Sequence, residues 1–559
     1  MGRQVIFEKN VQIPISDGGA LRANIFRPDK PGQFPVVMAF GIYGKDVHFE
    51  DAYGPQWKNL DKIYPDLCKN GSSGAYLRWE IADPERWVPD DYIIIAIDAR
   101  GSGESPGYLD MYSPRETRDY YECIEWAGVQ AWSNGKVGLL GISYLAVKQW
   151  QVAALNPPHL AAIIPWEGAS NFYRDSTRHG GIWSNSFRVA WWPRQALINQ
   201  NGNAETTHRD RETGLPTTGR ALSRDLLEGN RSDSPSETAR HFLDDQWFQD
   251  RSAVLENIKV PLLSAANFGG PGNHLRGNIE GFYNASSKNK WLFGHVGTHY
   301  ESFYLPQYVA LQKRFFDYYL KGIENGWDQE PSVQVPLRYP DGSVKMCRDN
   351  SWPLSKTQWT NYFLDAASKS LSLGAKQELS SVSFNALGDG VDFDLAPSLS
   401  EMAFVGPASL RLWVSSTTKD MDLFVLLRAF SPTDEEVIFI GAHERIRVAL
   451  GWLRASHRKL DPLKTKPWQP YHTHDEIQEL EPNKIYPVDV EIWPTSLVLP
   501  PGFRLKLTIC GKDMEVDKPG RLLHNDSVDR DPSIYGGIST IHTGKDFDSY
   551  LTLPLLLEY

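Results

Sequence analysis

Cysteine is scarce in this chain: Cys68, Cys123, Cys347 and Cys510 are the four in 559 residues. None sits at a paired spacing, so neither a zinc knuckle nor a disulfide framework is indicated. Positive charge is in deficit as well. Lys and Arg number 58 against 69 Asp and Glu, a net charge of −11, which argues against nucleic acid as a partner because phosphate binding draws on clustered basic side chains. No apolar run approaches the length of a membrane span. The opening "MGRQVIFEKNVQIPIS" has no apolar core of signal-peptide length and carries Ile6 where the myristoylation pattern needs Ser or Thr. A cytoplasmic location is the default expectation.

Aromatics, by contrast, are plentiful. Nineteen Trp, 24 Tyr and 24 Phe mostly fill cores, and they also make an aromatic-lined pocket an expectation. With 41% apolar and 23% charged residues the composition is that of a globular protein rather than a disordered one. At 559 residues the chain exceeds what one core sustains, and three or so domains is the natural division.

Residues 1–166 alternate strand-like and helix-like segments. "VQIPISDGGALRANIFRP" reads as a hairpin, and "PVVMAF" and "YIIIAID" are continuous apolar runs of the kind buried on both faces of a parallel sheet. "SPRETRDYYECIEWAGVQ" reads as a helix capped by Ser113, with Pro114 in the first turn and Glu116 completing a capping box. This rhythm predicts a doubly wound α/β sheet. Residues 167–250 break it with the amphipathic "NSFRVAWWPRQALINQ" and a long polar stretch, the pattern of an inserted helical cap. The α/β rhythm resumes over 251–350. From 351 to 559, short apolar runs spaced by turns predict an all-β jelly-roll or sandwich domain.

The chemistry centres on "KVGLLGISYLAVKQW". A strand-like run leads into Gly141-Ile-Ser-Tyr-Leu145 and then a helix-like segment. That is the setting of the Gly-x-Ser-x-Gly nucleophile elbow, with Leu145 where the last glycine belongs. Gly141 and Ala146 are small enough to let such a turn pack, so Ser143 is the candidate nucleophile.

"GISYLAVKQW", "NPPHLAAIIPWEGASNFYRD", "DARGSGESPG" and "GWLRASHRKLDP" together resemble the cocaine esterase-like hydrolases, the group that includes Xaa-Pro dipeptidyl peptidases and glutaryl-acylases. The resemblance spans most of the chain. It implies an α/β-hydrolase core with an inserted helical cap and a C-terminal β jelly roll, and it is consistent with a homodimer. It further implies an oxyanion held by the Tyr144 amide and the Tyr43 hydroxyl, with a histidine after the last core strand as base. "KWLFGHVGTHYESFY" offers His295 and His299. The flanking pattern leans slightly to His295, and a gapless register against the esterase strand gives His299.

The family's aspartate falls on Gly270 here, and no Asp occurs between Arg251 and Phe316. A neutral replacement at this place in a triad costs about 10⁴ in rate. Glu301, close in sequence to both histidines, is a candidate replacement acid, and Asn267 or Asn273 are candidates to orient the ring. Three functions stay open: a serine hydrolase acting on a small ester or amide, a non-hydrolytic catalyst in the same pocket (cyclisation, elimination or isomerisation), and a binding protein with a dead core. The Trp-rich cap suggests an apolar or aromatic acyl group on a small-molecule substrate. An Xaa-Pro peptidase would need a carboxylate for the substrate amine, for which Glu167 in "PWEG" is the candidate. No metal or cofactor is called for. "YHTHDE", with His472 and His474, reads as a solvated polar turn.

Overall fold

The computed structural model describes residues 5–514, 516, 523–524 and 530–559. The continuous apolar runs become the centre of a ten-stranded sheet. Its strands are β1 (Val5–Pro14), β2 (Ala20–Pro28), β3 (Phe34–Gly41), β4 (Ile93–Asp98), β5 (Ser133–Ile142), β6 (Leu160–Trp166), β7 (Leu262–Asn267), β8 (Lys290–His295), β9 (Val333–Arg338) and β10 (Val344–Asp349). They lie in the order β1-β2-β4-β3-β5-β6-β7-β8-β9-β10. From β4 to β9 neighbouring strands run parallel, and every residue of β3, β4 and β7 is buried. The hairpin β1–β2 and the antiparallel β10 close the two edges.

Helix α1 (Pro114–Gly128) begins as its sequence dictates, with Ser113 Oγ accepting from the Glu116 amide at 3.2 Å. The return half of the box differs. Glu116 accepts from the Tyr112 amide at 2.7 Å and pairs with buried Lys148 at 3.2 Å, because a buried cation beside it needs its charge. Helix α2 (Tyr144–Ala153) follows β5 and is buried at all ten positions.

Between β6 and β7 the chain makes short helices, among them α3 (Asn185–Trp191), continued by a π-turn over Trp192–Leu197. Its polar stretch is tied to the core by ion pairs such as Arg211–Asp51. Helix α4 (Leu275–Asn284) packs on β7.

The C-terminal region is an eleven-stranded sheet. It closes on itself where the long strand Met402–Ser416 pairs with both Tyr486–Leu499 and Tyr550–Leu556. An apolar cluster joins it to the first sheet: Phe268 and Leu292 pack in one group with Phe424, Trp452 and Trp493. Hydrogen bonds at the join matter more for the site. Ala442 of the β domain donates to Gly269 O (2.8 Å) and accepts from the His299 amide (2.9 Å). This docking fixes the loop after β7 and the loop after β8 against one another.

The turn "YHTHDE" is not solvated at its histidines. His472 and His474 are buried, with Arg174 donating to the His472 carbonyl and His474 Nδ1 3.0 Å from His457 Nδ1; only Asp475 and Glu476 face solvent. No helix among the described residues is long and apolar enough to cross a membrane.

Candidate active site

Strand β5 delivers Ser143 to a sharp turn. Its backbone takes φ +55° and ψ −116°, a conformation that costs an L-residue about 1–3 kcal/mol and is held only where the surroundings over-determine it. The Ser143 amide donates to the carbonyls of Trp166 and Glu167, both at 3.1 Å, and its carbonyl accepts from Ala146 and Val147 to start α2. Tyr144 is the first residue of α2, so its amide has no intrahelical acceptor and points out with the positive end of the helix dipole. Leu145 is accommodated by missing side chains opposite it. A Cβ on Gly141 would stand 2.6 Å from Leu145 Cβ, and one on Gly41 would strike Leu145 Cδ2. Ala146 fills the corresponding space against Gly168. The glycine requirement has been moved, not lost.

The ring that meets the serine is His274. Its Nε2 lies 3.2 Å from Ser143 Oγ. His274 sits at the N-cap of α4, in the loop after β7, and is buried with no partner for Nδ1 among the described residues. Burial first, then the charges of His299 and His443, hold its pKa well below the usual value. The ring therefore stays neutral, and a neutral ring can accept a proton.

Behind it lies a buried charge cluster. The His299 ring stacks on His274 with centroids 5.3 Å apart and planes 14° from parallel. His299 Nδ1 is 2.7 Å from Glu167 Oε2 and Nε2 is 3.1 Å from Glu80 Oε1. Burial acts to lower the His299 pKa, but the two carboxylates outweigh it and raise it to about 10. Glu80 is pushed up to about 7 by its own burial, against the stabilising effect of His299. Glu167 comes from the end of β6, and its other oxygen accepts from Asn267 Nδ2 at 3.1 Å.

Tyr43, just past β3, lines the same cleft as Ser143, and burial raises its pKa well above normal, so the phenol keeps its proton. The Tyr144 side chain turns away to Glu116 at 2.5 Å, leaving only its amide beside the serine. His295 does not reach the serine. It is still inside β8, paired with Asn267, and its ring lies against Trp166 at 5.2 Å. Burial lowers its pKa to about 4, and it approaches Glu167 Oε1 only to 3.7 Å.

Glu301 accepts from Asn59 at 2.8 Å instead of orienting a histidine. Asn267 steadies Glu167 rather than a ring, and Asn273 lines the cleft. Gly270 lies in the same loop as His274, three residues before Asn273. Sequence reasoning passed over His274, Glu80 and the contact of Glu167 with His299. The one local signal was a histidine in the loop where the aspartate was missing.

His274, His299 and His443 bring ring nitrogens within 4.8 Å of one another. Both nitrogens of His299 already face carboxylates, so a cation there would have to displace Glu80 or Glu167. The arrangement as it stands is suited to holding protons.

A narrow cleft opens over the serine, walled by Tyr43, Tyr112, Phe172, Arg188, Trp191 and His274. Its free volume is about 20 Å³, room for a water or two. A larger cavity of about 150 Å³ adjoins it, lined by α3, the loop Gly269–Asn273 and Ala442–Glu444 of the β domain. Phe187, Asn273 and His274 line both.

A family model for X-Pro dipeptidyl-peptidase (S15 family) matches residues 17–301. A second, for the X-Pro dipeptidyl-peptidase C-terminal non-catalytic domain, matches residues 325–552. Among curated proteins the chain is similar to cocaine esterase of Rhodococcus sp. (strain MB1 Bresler), at 22% identity over 625 aligned positions and 98% of each chain. Among solved structures it resembles a CocE/NonD family hydrolase from Staphylococcus aureus, with a TM-score of 0.85, 34% identity, and 99% of this chain and 94% of that one covered. An aminopeptidase from a marine sediment archaeon (Thaumarchaeota archaeon) shares the fold at a TM-score of 0.70 and 15% identity, over 99% of this chain and 96% of that one.

Proposed function

Because the chain belongs to the X-Pro dipeptidyl-peptidase (S15) family of hydrolases, we propose that it cleaves a small ester or amide through an acyl-Ser143 intermediate. The observation that carries this reading is the strained Ser143 with its Oγ 3.2 Å from a neutral His274 Nε2. His274 takes the serine proton as Oγ attacks the carbonyl, then returns it to the leaving group. A water repeats the sequence to release the acid. The oxyanion is held by the Tyr144 amide and the Tyr43 hydroxyl.

In this reading the missing aspartate is compensated at a distance. The group directly behind the His274 ring is His299, whose cation disfavours the imidazolium, and Glu167 and Glu80 on its two nitrogens offset that cation. In this reading the two carboxylates relieve the penalty that His299 sets on the imidazolium formed during attack.

Ester or acyl-amide substrates fit better than Xaa-Pro peptides. Glu167, the sequence candidate for a substrate amine, is occupied by His299 and Asn267, and no Asp or Glu lines the cleft over Ser143 among the described residues. A non-hydrolytic alternative draws support from one fact: His274 Nδ1 has no partner among the described residues to fix the ring. The four free cysteines fit a reducing, cytoplasmic setting.

Intact-protein mass after incubation with a fluorophosphonate separates the two chemistries. A single adduct on the wild-type chain and none on Ser143→Ala is the expected result. A folded wild-type protein that takes no adduct would reject the acyl-enzyme and leave proton transfer without covalent catalysis.

A further inference from the structure

Two spaces of unequal size meet at His274. The cleft over Ser143 has about 20 Å³ free, and Tyr112, Val147, Phe172 and Trp191 are among its walls. The adjoining cavity has about 150 Å³, a volume that takes a benzene ring in an apolar interior. It lies between α3, the loop Gly269–Asn273 and the β domain. Phe187, Ala190, Pro271, Ala442, Ile446 and Leu523 give it an apolar lining. Its formal charges outside histidine, on Arg194 and Glu444, are opposite in sign, so a neutral occupant suits it better than an ion.

The direction of the reaction decides which half of the substrate each space receives. In acylation Ser143 Oγ bonds to the carbonyl carbon and the bond from that carbon to the alcohol oxygen or amine nitrogen breaks. The proton that His274 took from Oγ passes to the departing atom. The leaving group therefore stands on the His274 side of the carbonyl. His274, Phe187 and Asn273 line both spaces, whereas Ser143 and Tyr43 line the cleft and not the cavity. A group departing past His274 enters the cavity, and the acyl chain keeps the cleft. Asn273 Nδ2 is buried at this neck without a partner among the described residues, a donor left open for an ester oxygen on the leaving side.

We propose that the preferred substrates carry a short acyl group, acetyl or propionyl, on a bulky neutral alcohol or amine whose apolar ring is seated in the cavity between α3 and the β domain. The inference rests on the acyl-Ser143 reading and names its substrate class. It moves the apolar group expected of the substrate from the acyl side to the leaving side, because about 20 Å³ holds a methyl or ethyl group and excludes a ring. It also gives the β domain a share in specificity, through Ala442, Ile446 and Leu523.

Two isomeric esters test the proposal: 2-phenylethyl acetate, with the ring on the alcohol, and ethyl phenylacetate, with the ring on the acyl group. With each rate referred to that ester's alkaline hydrolysis, wild-type kcat/KM is expected to favour 2-phenylethyl acetate at least about 10-fold, the worth of seating one ring. Ala190→Phe, which brings a ring into the cavity from its α3 wall, is expected to bring the ratio close to one. A binding readout runs beside it: saturating 2-phenylethanol should raise the wild-type Tm by about 1 °C and leave that of Ala190→Phe unmoved.

If Ala190→Phe does not fold, the wild-type isomer ratio and the 2-phenylethanol shift decide alone. Equal kcat/KM for the two isomers, or a preference for ethyl phenylacetate, overturns the proposal. So does an unchanged ratio in folded Ala190→Phe. Failure of fluorophosphonate to label Ser143 would instead strike the acyl-enzyme reading, and the 2-phenylethanol shift would still test the cavity as a ring site, its absence overturning that assignment.

Discussion

His274→Gln is expected to lower kcat/KM for an ester substrate by roughly 10³- to 10⁴-fold. Glutamine can keep a hydrogen bond to Ser143 but cannot take its proton. His295→Gln, normalised to folded protein, is expected to cost less than about threefold, because His295 lies within β8 against Trp166 and makes no hydrogen bond to the serine. Steady-state kinetics with both variants check this directly. The contrast follows from chain geometry. β8 is still in register with β7 at His295, paired to Asn267, so its side chain is committed to the sheet. The loop leaving β7 is the one that turns toward the elbow, and the β domain pins it by the Ala442–Gly269 hydrogen bond.

Glu167→Gln is expected to lower kcat/KM by about 10²-fold, less than the loss from neutralising a carboxylate bonded to the base itself, since His299 stands between. Glu301→Gln is expected to stay within about twofold, because Glu301 holds Asn59. Kinetics at fixed pH separate the two.

The same cluster sets a pH dependence. Glu80 titrates at about 7, raised by burial, and His299 stays protonated up to about 10. Below pH 7 Glu80 is neutral, and the His299 cation is less fully offset. Above it, the charge on Glu80 offsets the His299 cation more fully and eases protonation of His274 during attack. Activity therefore rises with pH through about 7. A unit charge at this range is worth about 2 kcal/mol at an effective dielectric near 20, roughly 30-fold in rate. Glu80→Gln should flatten that limb and fix activity near its low-pH level. For stability the sign is opposite. A carboxyl whose folded pKa is raised contributes stability that is full below its unfolded value near 4.5 and is lost as pH rises through about 7.

Local features of the site were legible in the sequence, and its long-range pairings were not. Strand, turn and helix around Ser143 are written in fifteen consecutive residues, and the Tyr43 loop follows an unmistakable apolar strand. The α/β rhythm and the change to short β runs near residue 350 reflect periodicities of burial, which are local. His274 carried no such signal. The loop after β7 lacks the family's carboxylate and offers Asn267 and Asn273 as polar candidates, and no local pattern distinguishes the histidine that stands beside them. Glu167 lies 132 positions from His299, and nothing in the chain's local pattern pairs them. Only the adjacency of the strand ends of β6, β7 and β8 brings them together. Glu80 lies 219 positions from the same ring, in a loop without periodicity, at φ +64°.

Labelling kinetics with a fluorophosphonate, run in parallel on wild type, His274→Gln and His299→Gln, test most directly which ring activates Ser143. The predicted result is a fall of at least about 10³-fold for His274→Gln and only about 10- to 100-fold for His299→Gln. Near wild-type labelling of His274→Gln, with His299→Gln unreactive, would contradict the account and make His299 the base.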